Sequence, residues 1–299
     1  MMNIFENVML PVILIFASGF IFKIKTQMAI KPLSNIAIYL LLPFLVFQTF
    51  YKYSINSKFV TIIIVTSIIL ILLIIIGVVF SRFWGLDQDE RDAFLLSICF
   101  PNSGNFGIPI IMFAFGSKEL QYGMAIMIFH NILMGTVGIY VASDKSSGIR
   151  KPLTNIFKQP MNYVILPAIL LNKCNVVVPN FLMKSVNLIG NATIPIIMLV
   201  LGMQLAEIHF QKVDWRTAGW ACLFRLVISP LIAYFIATML MLSYSMMVVL
   251  VLMSAMPSAA NTTLYAIEFD KKPQYVSICT LVSTIFSVVT ITMILNWMI

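Results

Sequence analysis

The sequence predicts an all-α membrane protein with ten transmembrane helices arranged as two inverted repeats of five. Three observations predict this fold. The chain of 299 residues is 61% hydrophobic and only 10% charged, whereas soluble domains are about 25% charged. Its apolar residues fall into ten successive runs, and a polar, proline-containing break recurs in the fourth and the ninth of them.

The ten apolar runs are separated mostly by short polar segments. A helix rises about 1.5 Å per residue, so about 20 apolar residues cross a hydrocarbon core of about 30 Å. The sixth run is short for a span, and we expect an extension towards Val178, with a snorkelling Lys173, to complete it. The runs cover residues 4–22, 33–51, 59–81, 92–115, 121–142, 160–172, 187–206, 216–240, 245–268 and 274–298.

Lysine and arginine residues are distributed unequally between alternate loops. Thirteen lie in one set of loops and five in the other. Because cytoplasmic loops carry the excess of positive charge, both termini are predicted to lie outside the cytoplasm. The net charge of +8 is then topological and predicts no nucleic-acid partner. We expect a multi-pass protein of the cell (inner) membrane, with the lipid bilayer as its partner.

The longest predicted loop divides the chain into two sets of five runs. Pro101 and Asn105 in the fourth run match Pro257 and Asn261 in the ninth, 156 positions later in both cases. Five spans are an odd number, so the second set enters the membrane from the opposite face, as in the inverted repeats of transporters. The predicted parts are a first repeat (1–142), a cytoplasmic linker (143–159) and a second repeat (160–299).

The first break (residues 101–109) and the second break (residues 257–263) place polar groups in the middle of apolar spans. Unwound backbone cannot face lipid at that depth, so it must be buried in protein or line a polar cavity. The N-termini of half-helices in such a cavity attract a carboxylate. Alternatively, the breaks only kink two helices. The predicted substrate-binding residues are Pro101, Asn102, Ser103, Gly104, Asn105 and Gly107 in the first break, and Pro257, Ser258, Asn261, Thr262 and Thr263 in the second.

Arg225, Glu268 and His130 are candidates for charge compensation or ion coupling. A charge within a span needs a partner, so Arg225 attracts the anion directly, pairs with Glu268 or Asp270, or snorkels. His130 accepts a coupling proton or is a hydrogen-bonded structural histidine. The four cysteines lack metal-ligand spacing. Neither a metal nor a cofactor is therefore predicted, and coupling to Na⁺ or H⁺ is left open.

The first break resembles the P-N-x-x-x-x-G-x-P signature of the auxin efflux carrier family. This family includes the plant auxin exporters and bacterial malate and malonate permeases. The residues that carry the resemblance are Pro101-Asn102-Ser103-Gly104-Asn105-Phe106-Gly107-Ile108-Pro109, Pro195 with Leu201-Gly202-Met203-Gln204-Leu205, Arg225 with Pro230, and Pro257 with Glu268-Phe269-Asp270.

The resemblance implies a fold similar to that of the bile acid:sodium symporters, in which helices 4 and 9 are broken and cross at the substrate site. It also implies an elevator-like motion of helices 3–5 and 8–10 against helices 1, 2, 6 and 7, usually in a homodimer. Residues 143–159 stand in place of the long central hydrophilic loop of the plant exporters. This departure fits a compact bacterial carrier and argues against auxin as the substrate.

The sequence therefore favours a secondary carrier of a small organic anion, such as a di- or monocarboxylate, that works by alternating access around the crossing of helices 4 and 9. A passive organic-anion channel would show polar faces along several helices. That class and a membrane-embedded sensor without transport stay open as alternatives. An intramembrane enzyme would need a catalytic set such as paired acids, which the sequence does not show.

Overall fold

The computed structural model describes residues 5–53, 57–143, 160–207 and 215–298, and every regular element within them is a helix. Seven of these helices, α1, α2, α3, α5, α7, α8 and α10 as numbered below, are long and apolar enough to cross a membrane. The protein is therefore an all-α, multi-pass membrane protein. The predicted linker lies, except for Ser143, outside the described residues. The helices are α1 (Phe5–Thr26), α2 (Ile30–Lys52), α3 (Ser57–Phe83), α4a (Gln88–Cys99), α4b (Ser103–Phe115), α5 (Ser117–Ala142), α6 (Pro160–Lys173), α7 (Asn180–Ala206), α8 (Trp215–Met239), α9a (Tyr244–Ser254), α9b (Ala260–Glu268) and α10 (Pro273–Met298).

Both breaks interrupt their helices, but over fewer residues than the polar sequence suggests. The first break unwinds only over residues 100–102, and α4b begins within it at Ser103. The chain is non-helical over residues 255–259 around the second break, and α9b begins at Ala260. Most polar residues of the two breaks therefore lie in the first turn of a half-helix.

The predicted extension of the sixth span to Val178 is wrong. Helix α6 ends at Lys173, and Asn175 then adopts a left-handed backbone with a φ of 51°. The Tyr51 hydroxyl donates to the Val176 carbonyl and accepts from the Val178 N–H, both at 3.1 Å. Because a side chain of α2 satisfies these backbone groups, the segment has no need of helical hydrogen bonds.

The helices pack in two groups. In the first packing group, which contains α1, α2, α6 and α7, α7 lies along α1 and α2, and α6 packs against α2. The second packing group contains α3, α4a, α4b, α5, α8, α9a, α9b and α10, with α5 and α8 both packed on α9a. The groups meet mainly where α4b contacts α1 and α7 and where α2 contacts α5. The start of α4b therefore lies at the boundary between them.

Helices α1 and α7 cross with their backbones in direct contact. A methyl group added to Gly19 would lie 2.2 Å from the Leu199 carbonyl oxygen, and one added to Gly202 would lie 2.0 Å from the Phe16 carbonyl oxygen. Neither distance leaves room for a side chain. Such approaches through small residues are a common basis of helix association in membranes. They hold the first packing group together.

Charged residues join the start of α4a to the loop between α9b and α10. Asp87 and Glu90 form a reciprocal cap, in which each side chain accepts from the other residue's N–H. Lys271 Nζ donates to Asp89 Oδ1 at 2.6 Å and lies 4.0 Å from Asp92 Oδ2. The two interrupted helices are therefore also connected far from their breaks.

Candidate functional site

The two breaks meet in the structure. A single antiparallel bridge joins them. The Asn102 N–H donates to the Pro257 carbonyl at 2.7 Å, and the Ala259 N–H donates to the Phe100 carbonyl at 2.9 Å. These bonds satisfy backbone groups that unwinding would otherwise leave unpaired inside the protein.

A cavity of about 80 Å³ lies beside this crossing, between the two packing groups. The first packing group contributes an apolar wall, formed by Ile38, Leu42, Met161 and Ile197. The second contributes the start of α4b, part of α5 and the start of α9b. Its lining residues are Pro101, Asn102, Ser103, Gly104, Asn105, Ile108, Met127, Asn131, Met134, Ala259, Ala260 and Asn261.

Four asparagines, Asn102, Asn105, Asn131 and Asn261, supply most of the polar lining. Asn102 is 5% exposed, and its Nδ2 has no hydrogen-bond partner among the described residues. The other three side chains also form no hydrogen bond within the described part of the chain. A buried donor without a partner costs about 1–3 kcal/mol. These amides are therefore available to a ligand.

Two helix N-termini face the same cavity. The first turns of α4b, from Ser103, and of α9b, from Ala260, both contribute lining residues. The first N–H groups of a helix have no acceptor within the helix, and this end carries a partial positive charge. The N–H groups of Ser103 and Thr262 already donate to the Pro101 and Ala259 carbonyls. Together with the amides, the other first-turn N–H groups that face the cavity offer hydrogen-bond donors to a negative group, although none of the described residues that line it is ionisable.

Six of the predicted substrate-binding residues line the cavity: Pro101, Asn102, Ser103, Gly104, Asn105 and Asn261. The structure gives the others different contacts. Ser258 Oγ donates to the Ser97 carbonyl, and the Ser258 N–H donates to Ser283 Oγ at 3.1 Å. Thr262 Oγ1 donates to the Ala259 carbonyl at 2.7 Å. The hydroxyls of Ser258 and Thr262 are thus used within the protein.

The remaining three predicted residues also lie outside the lining. The Pro257 carbonyl accepts from the Asn102 N–H. Gly107 allows a close approach of α4b to α9a, because an added methyl group would lie 2.7 Å from Met253 Sδ. Thr263 lies in α9b and is partly buried.

The sequence prediction did not include Asn131 or the apolar wall among the substrate-binding residues. Asn131 is a polar residue in an apolar span, and the sequence associates it only with the possible proton coupling of His130. Ile38, Leu42 and Ile197 look like any other apolar residue of a span, so only packing shows that they face the cavity.

Arg225 is fully buried and binds backbone carbonyls. Its Nη1 donates at 2.7 Å to the carbonyl of Ile98, near the end of α4a. Its Nη2 donates to the carbonyl of Ser254, at the end of α9a, and its Nε donates at 3.0 Å to that of Met256. Nη2 also donates to Ser229 Oγ at 2.9 Å. The guanidinium therefore neutralises the negative C-terminal ends of both broken helices.

The predicted pairing of Arg225 with Glu268 or Asp270 and the predicted snorkelling do not match this geometry, whereas direct attraction of an anion stays a prediction. Among the described residues it has no carboxylate partner, and Glu268 lies exposed at the end of α9b, before Asp270. It is absent from the lining of the larger cavity, and its 1% exposure excludes snorkelling. The physical reason is that two helix ends provide enough carbonyl acceptors for the guanidinium donors, so no acid is needed.

His130 contacts the first break from α5. Its Nδ1 lies 2.5 Å from Ser103 Oγ, and Ser103 lines the cavity. This contact agrees with the prediction of a hydrogen-bonded structural histidine. Coupling of a proton to His130 stays a hypothesis.

Comparisons with known proteins agree with this geometry. The chain matches the family model described as membrane transport protein over residues 4–152 and 149–295. An uncharacterized transporter of Methanocaldococcus jannaschii is 26% identical in an alignment of 300 positions, gaps included, that covers 96% of each chain. An uncharacterized transporter of Methanothermobacter thermautotrophicus is 26% identical over 291 residues, which cover 94% of each chain.

These matches confirm the family that the first break resembles. They span almost the whole chain, including both breaks and Arg225. They also agree with the apolar helices of the structure. The chain therefore belongs to the membrane transport protein family of auxin efflux carrier-like proteins, and it is a membrane transporter and not an enzyme.

Proposed function

We propose that this protein is a secondary carrier of a small organic anion, such as a di- or monocarboxylate. The observation that carries the proposal is the cavity at the crossing of the two breaks, where free amides and two helix N-termini converge. In this proposal the chain has ten spans in two inverted repeats, residues 1–142 and 160–299. The site then lies near the middle of the membrane, where transporters of this design bind substrate.

The charges around the crossing favour an anion. Arg225 binds the negative ends of α4a and α9a, whereas the positive ends of α4b and α9b stay open to the cavity. A carboxylate in the cavity would accept hydrogen bonds from the first-turn N–H groups and from Asn102 Nδ2. Because the lining has no fixed cation, binding would be modest, which suits a carrier that must release its cargo.

The size of the cavity favours a small cargo. An apolar cavity of about 150 Å³ holds one benzene molecule, whereas this cavity has about 80 Å³. A carboxylate of a few carbon atoms therefore suits it better than an indole carboxylate. The apolar wall of the first packing group would contact the carbon chain, while the asparagines would bind the carboxylate.

The position of the cavity supports alternating access by an elevator motion. Its apolar wall belongs to the first packing group and its polar side to the second. Movement of the second group along the first would carry the polar half of the site from one side of the membrane to the other. The first group, with its close α1–α7 crossing, would stay fixed and would form the contact of a homodimer in the inner membrane.

A ligand screen followed by transport measurements tests the proposal. Purified protein is heated with malonate, malate, acetate or indole-3-acetate, with and without Na⁺ and at two pH values. Because a ligand that binds the folded state raises its melting temperature, the screen identifies both the anion and the coupling ion. Uptake of the best ligand is then measured in proteoliposomes.

Variants of the amides complete the test. We expect Asn105→Ala and Asn261→Ala to lower uptake at least about tenfold, the effect of losing one hydrogen bond of about 1.4 kcal/mol or more to a charged group. Asn296→Ala, which removes an exposed amide of α10, is the matched control and should transport normally. Unchanged uptake by both cavity variants would contradict the assignment of this cavity as the substrate site.

The same assays separate the alternatives. Exchange of labelled for unlabelled anion across the membrane identifies a carrier. Anion flux without such exchange would identify a passive channel. A thermal shift without any flux would identify a sensor. If both termini lie outside, a cysteine introduced by Lys145→Cys should be labelled by a membrane-impermeant thiol reagent from the cytoplasmic side alone.

A further inference from the structure

A second, smaller cavity lies behind the crossing, on the side of Arg225. Its volume is about 10 Å³, close to the 10–15 Å³ or so that one water molecule needs. The polar residues that line it are Thr66 from α3, His130 from α5, Arg225 from α8 and Ser254 from α9a, beside Cys99 at the end of α4a. Ile69, Leu70 and Leu73 of α3 and Leu133 of α5 supply apolar lining.

Thr66 has an unsatisfied hydroxyl in this cavity. The residue is 2% exposed, and its Oγ1 has no hydrogen-bond partner among the described residues. Thr49, Thr280 and Thr284, by comparison, each bond a carbonyl of their own helix, as Thr49 does to Leu45 at 2.8 Å, whereas Thr193 of α7 also has no partner for its hydroxyl among the described residues. A buried hydroxyl without a partner costs about 1–3 kcal/mol. A group that the protein chain does not supply would remove this cost.

Two further groups beside the cavity have hydrogen-bonding capacity to spare. Of the five N–H groups of a guanidinium, Arg225 uses four within the described residues. His130 uses Nδ1 for Ser103, and its Nε2 has no partner in the described part of the chain. The Ser254 carbonyl, by contrast, already accepts from Arg225 and from Ser229 Oγ.

We propose that this cavity holds one ordered water molecule, bound by Thr66, His130 and Arg225. The water accepts from the remaining N–H of Arg225 and donates to Thr66 Oγ1 and to His130 Nε2. These are three hydrogen bonds, the usual number for a buried water. His130 then carries its hydrogen on Nδ1 and donates to Ser103 Oγ.

The water connects side chains of three helices, α3, α5 and α8. It would link α3 to α8, and through His130 and Ser103 it would link Arg225 to the wall of the larger cavity. Removing it would therefore loosen the second packing group around the crossing.

Other small ligands fit the cavity less well. A sodium ion needs several oxygen ligands at about 2.4 Å, similar to Ca²⁺, and it would lie against the positive guanidinium. A chloride ion suits the charge of Arg225 but is larger than water, whereas the volume is close to the minimum for one water molecule. Water is the one ligand that fits both the volume and the mixture of donors and acceptors.

The direct test is a high-resolution density map of the full chain in lipid nanodiscs. We expect one peak within hydrogen-bonding distance, about 2.7–3.2 Å, of Thr66 Oγ1, His130 Nε2 and Arg225. A map of Thr66→Val should lack this peak. A cavity without density in the wild-type protein, or a peak with ligand distances near 2.4 Å as for a bound metal ion, would overturn the proposal.

The sign of a stability change provides an independent test. If water is bound, Thr66→Val removes one of its partners, so the melting temperature falls below that of Thr66→Ser, which keeps the hydroxyl. If the cavity is dry, valine replaces an unsatisfied hydroxyl by a methyl group and the melting temperature rises. Thr49→Val measures the loss of an ordinary hydroxyl bond as the control. A Thr66→Val protein at least as stable as the wild type contradicts the water.

Discussion

The first break, residues 101–109, and the second, residues 257–263, contain similar residues but use their polar groups differently. In the first, Asn102 and Asn105 leave their side chains free beside the cavity. In the second, the Ser258 and Thr262 hydroxyls bond backbone carbonyls, and Asn261 lines the cavity together with Ala259 and Ala260. The first break thus leaves polar side chains free beside the cavity, whereas the second uses most of its polar groups within the protein.

Their surroundings explain this difference. The start of α4b lies at the boundary between the two packing groups, where the cavity opens. The second break is held inside the second packing group, between Ser97 of α4a and Ser283 of α10. A repeated sequence pattern therefore predicts a repeated backbone geometry, but the neighbouring helices decide which polar groups stay free.

The largest effect should come from Arg225, the residue that serves both breaks. Arg225→Ala would leave the Ile98 and Met256 carbonyls without the donor that Arg225 supplies, at roughly 1–3 kcal/mol each, whereas the Ser254 carbonyl would keep its bond from Ser229 Oγ. We expect little folded protein by size-exclusion chromatography. Arg225→Lys keeps the charge but has one nitrogen, so its melting temperature should fall between that of Arg225→Ala and that of the wild type. A well-folded Arg225→Ala protein would show that the helix ends do not need the guanidinium.

A pair of variants tests the comparison directly. Asn102→Ala should lower anion uptake about tenfold or more without lowering the melting temperature, because Nδ2 has no protein partner to lose. Ser258→Ala should lower stability by about 1 kcal/mol, because the bond to the Ser97 carbonyl is lost, with near-normal uptake per folded molecule. The measurements are thermal unfolding and proteoliposome uptake. If both variants change the same quantity, the two breaks are functionally alike.

Substitutions of the two glycines of the first break should also affect different quantities, uptake for Gly104 and stability for Gly107. A methyl group on Gly104 would lie 3.6 Å from Met127 Sδ, an ordinary contact, whereas one on Gly107 would lie 2.7 Å from Met253 Sδ. We expect Gly104→Ala to fold normally and to raise the KM of uptake by narrowing the cavity. Gly107→Ala should lose about 1–3 kcal/mol of stability through overpacking. A destabilised Gly104→Ala with unchanged KM would argue against the cavity.

The smallest effect concerns the charges that join α4a to the loop after α9b. The hydrogen bond from Lys271 lowers the pKa of the Asp89 carboxyl. A lowered pKa means that this bond stabilises the protein at neutral pH, and that its contribution is lost as the pH falls through the pKa. Asp89 is half exposed, so we expect less than about 1 kcal/mol.

Asp89→Asn provides the measurement for this bond. The difference in melting temperature between the wild type and Asp89→Asn should be largest near neutral pH and should shrink in acid. Asp87, Glu90 and Asp92 are present in both proteins, so the difference isolates Asp89. A difference that is independent of pH would mean that charge is not what joins the two segments.

The sequence predicted an all-α, multi-pass membrane protein, and six of the eleven residues that it predicted to bind substrate line the cavity. Long apolar runs indicate membrane spans because side chains that face lipid must be apolar. Polar residues in the middle of a span, such as Asn105 and Asn261, indicate a cavity because polar groups are unfavourable in contact with lipid. The same reasoning was wrong for α6, because Tyr51 of α2, a helix far away in the sequence, bonds the backbone after Lys173 and decides its path. It also missed Ile38 and Ile197 of the apolar wall, which differ from lipid-facing residues only in their position.

By itself, therefore, the sequence determined that this protein lies in a membrane, where its helices break and which family it belongs to. These features depend on residue type and on spacing along the chain, and they follow from local interactions of each segment with the bilayer and with its own backbone. The tertiary structure alone decided the role of Arg225, because its carbonyl partners come from helices α4a and α9a. It also decided that Asn102 stays free while Ser258 does not, because a polar group is used or available according to which neighbours reach it.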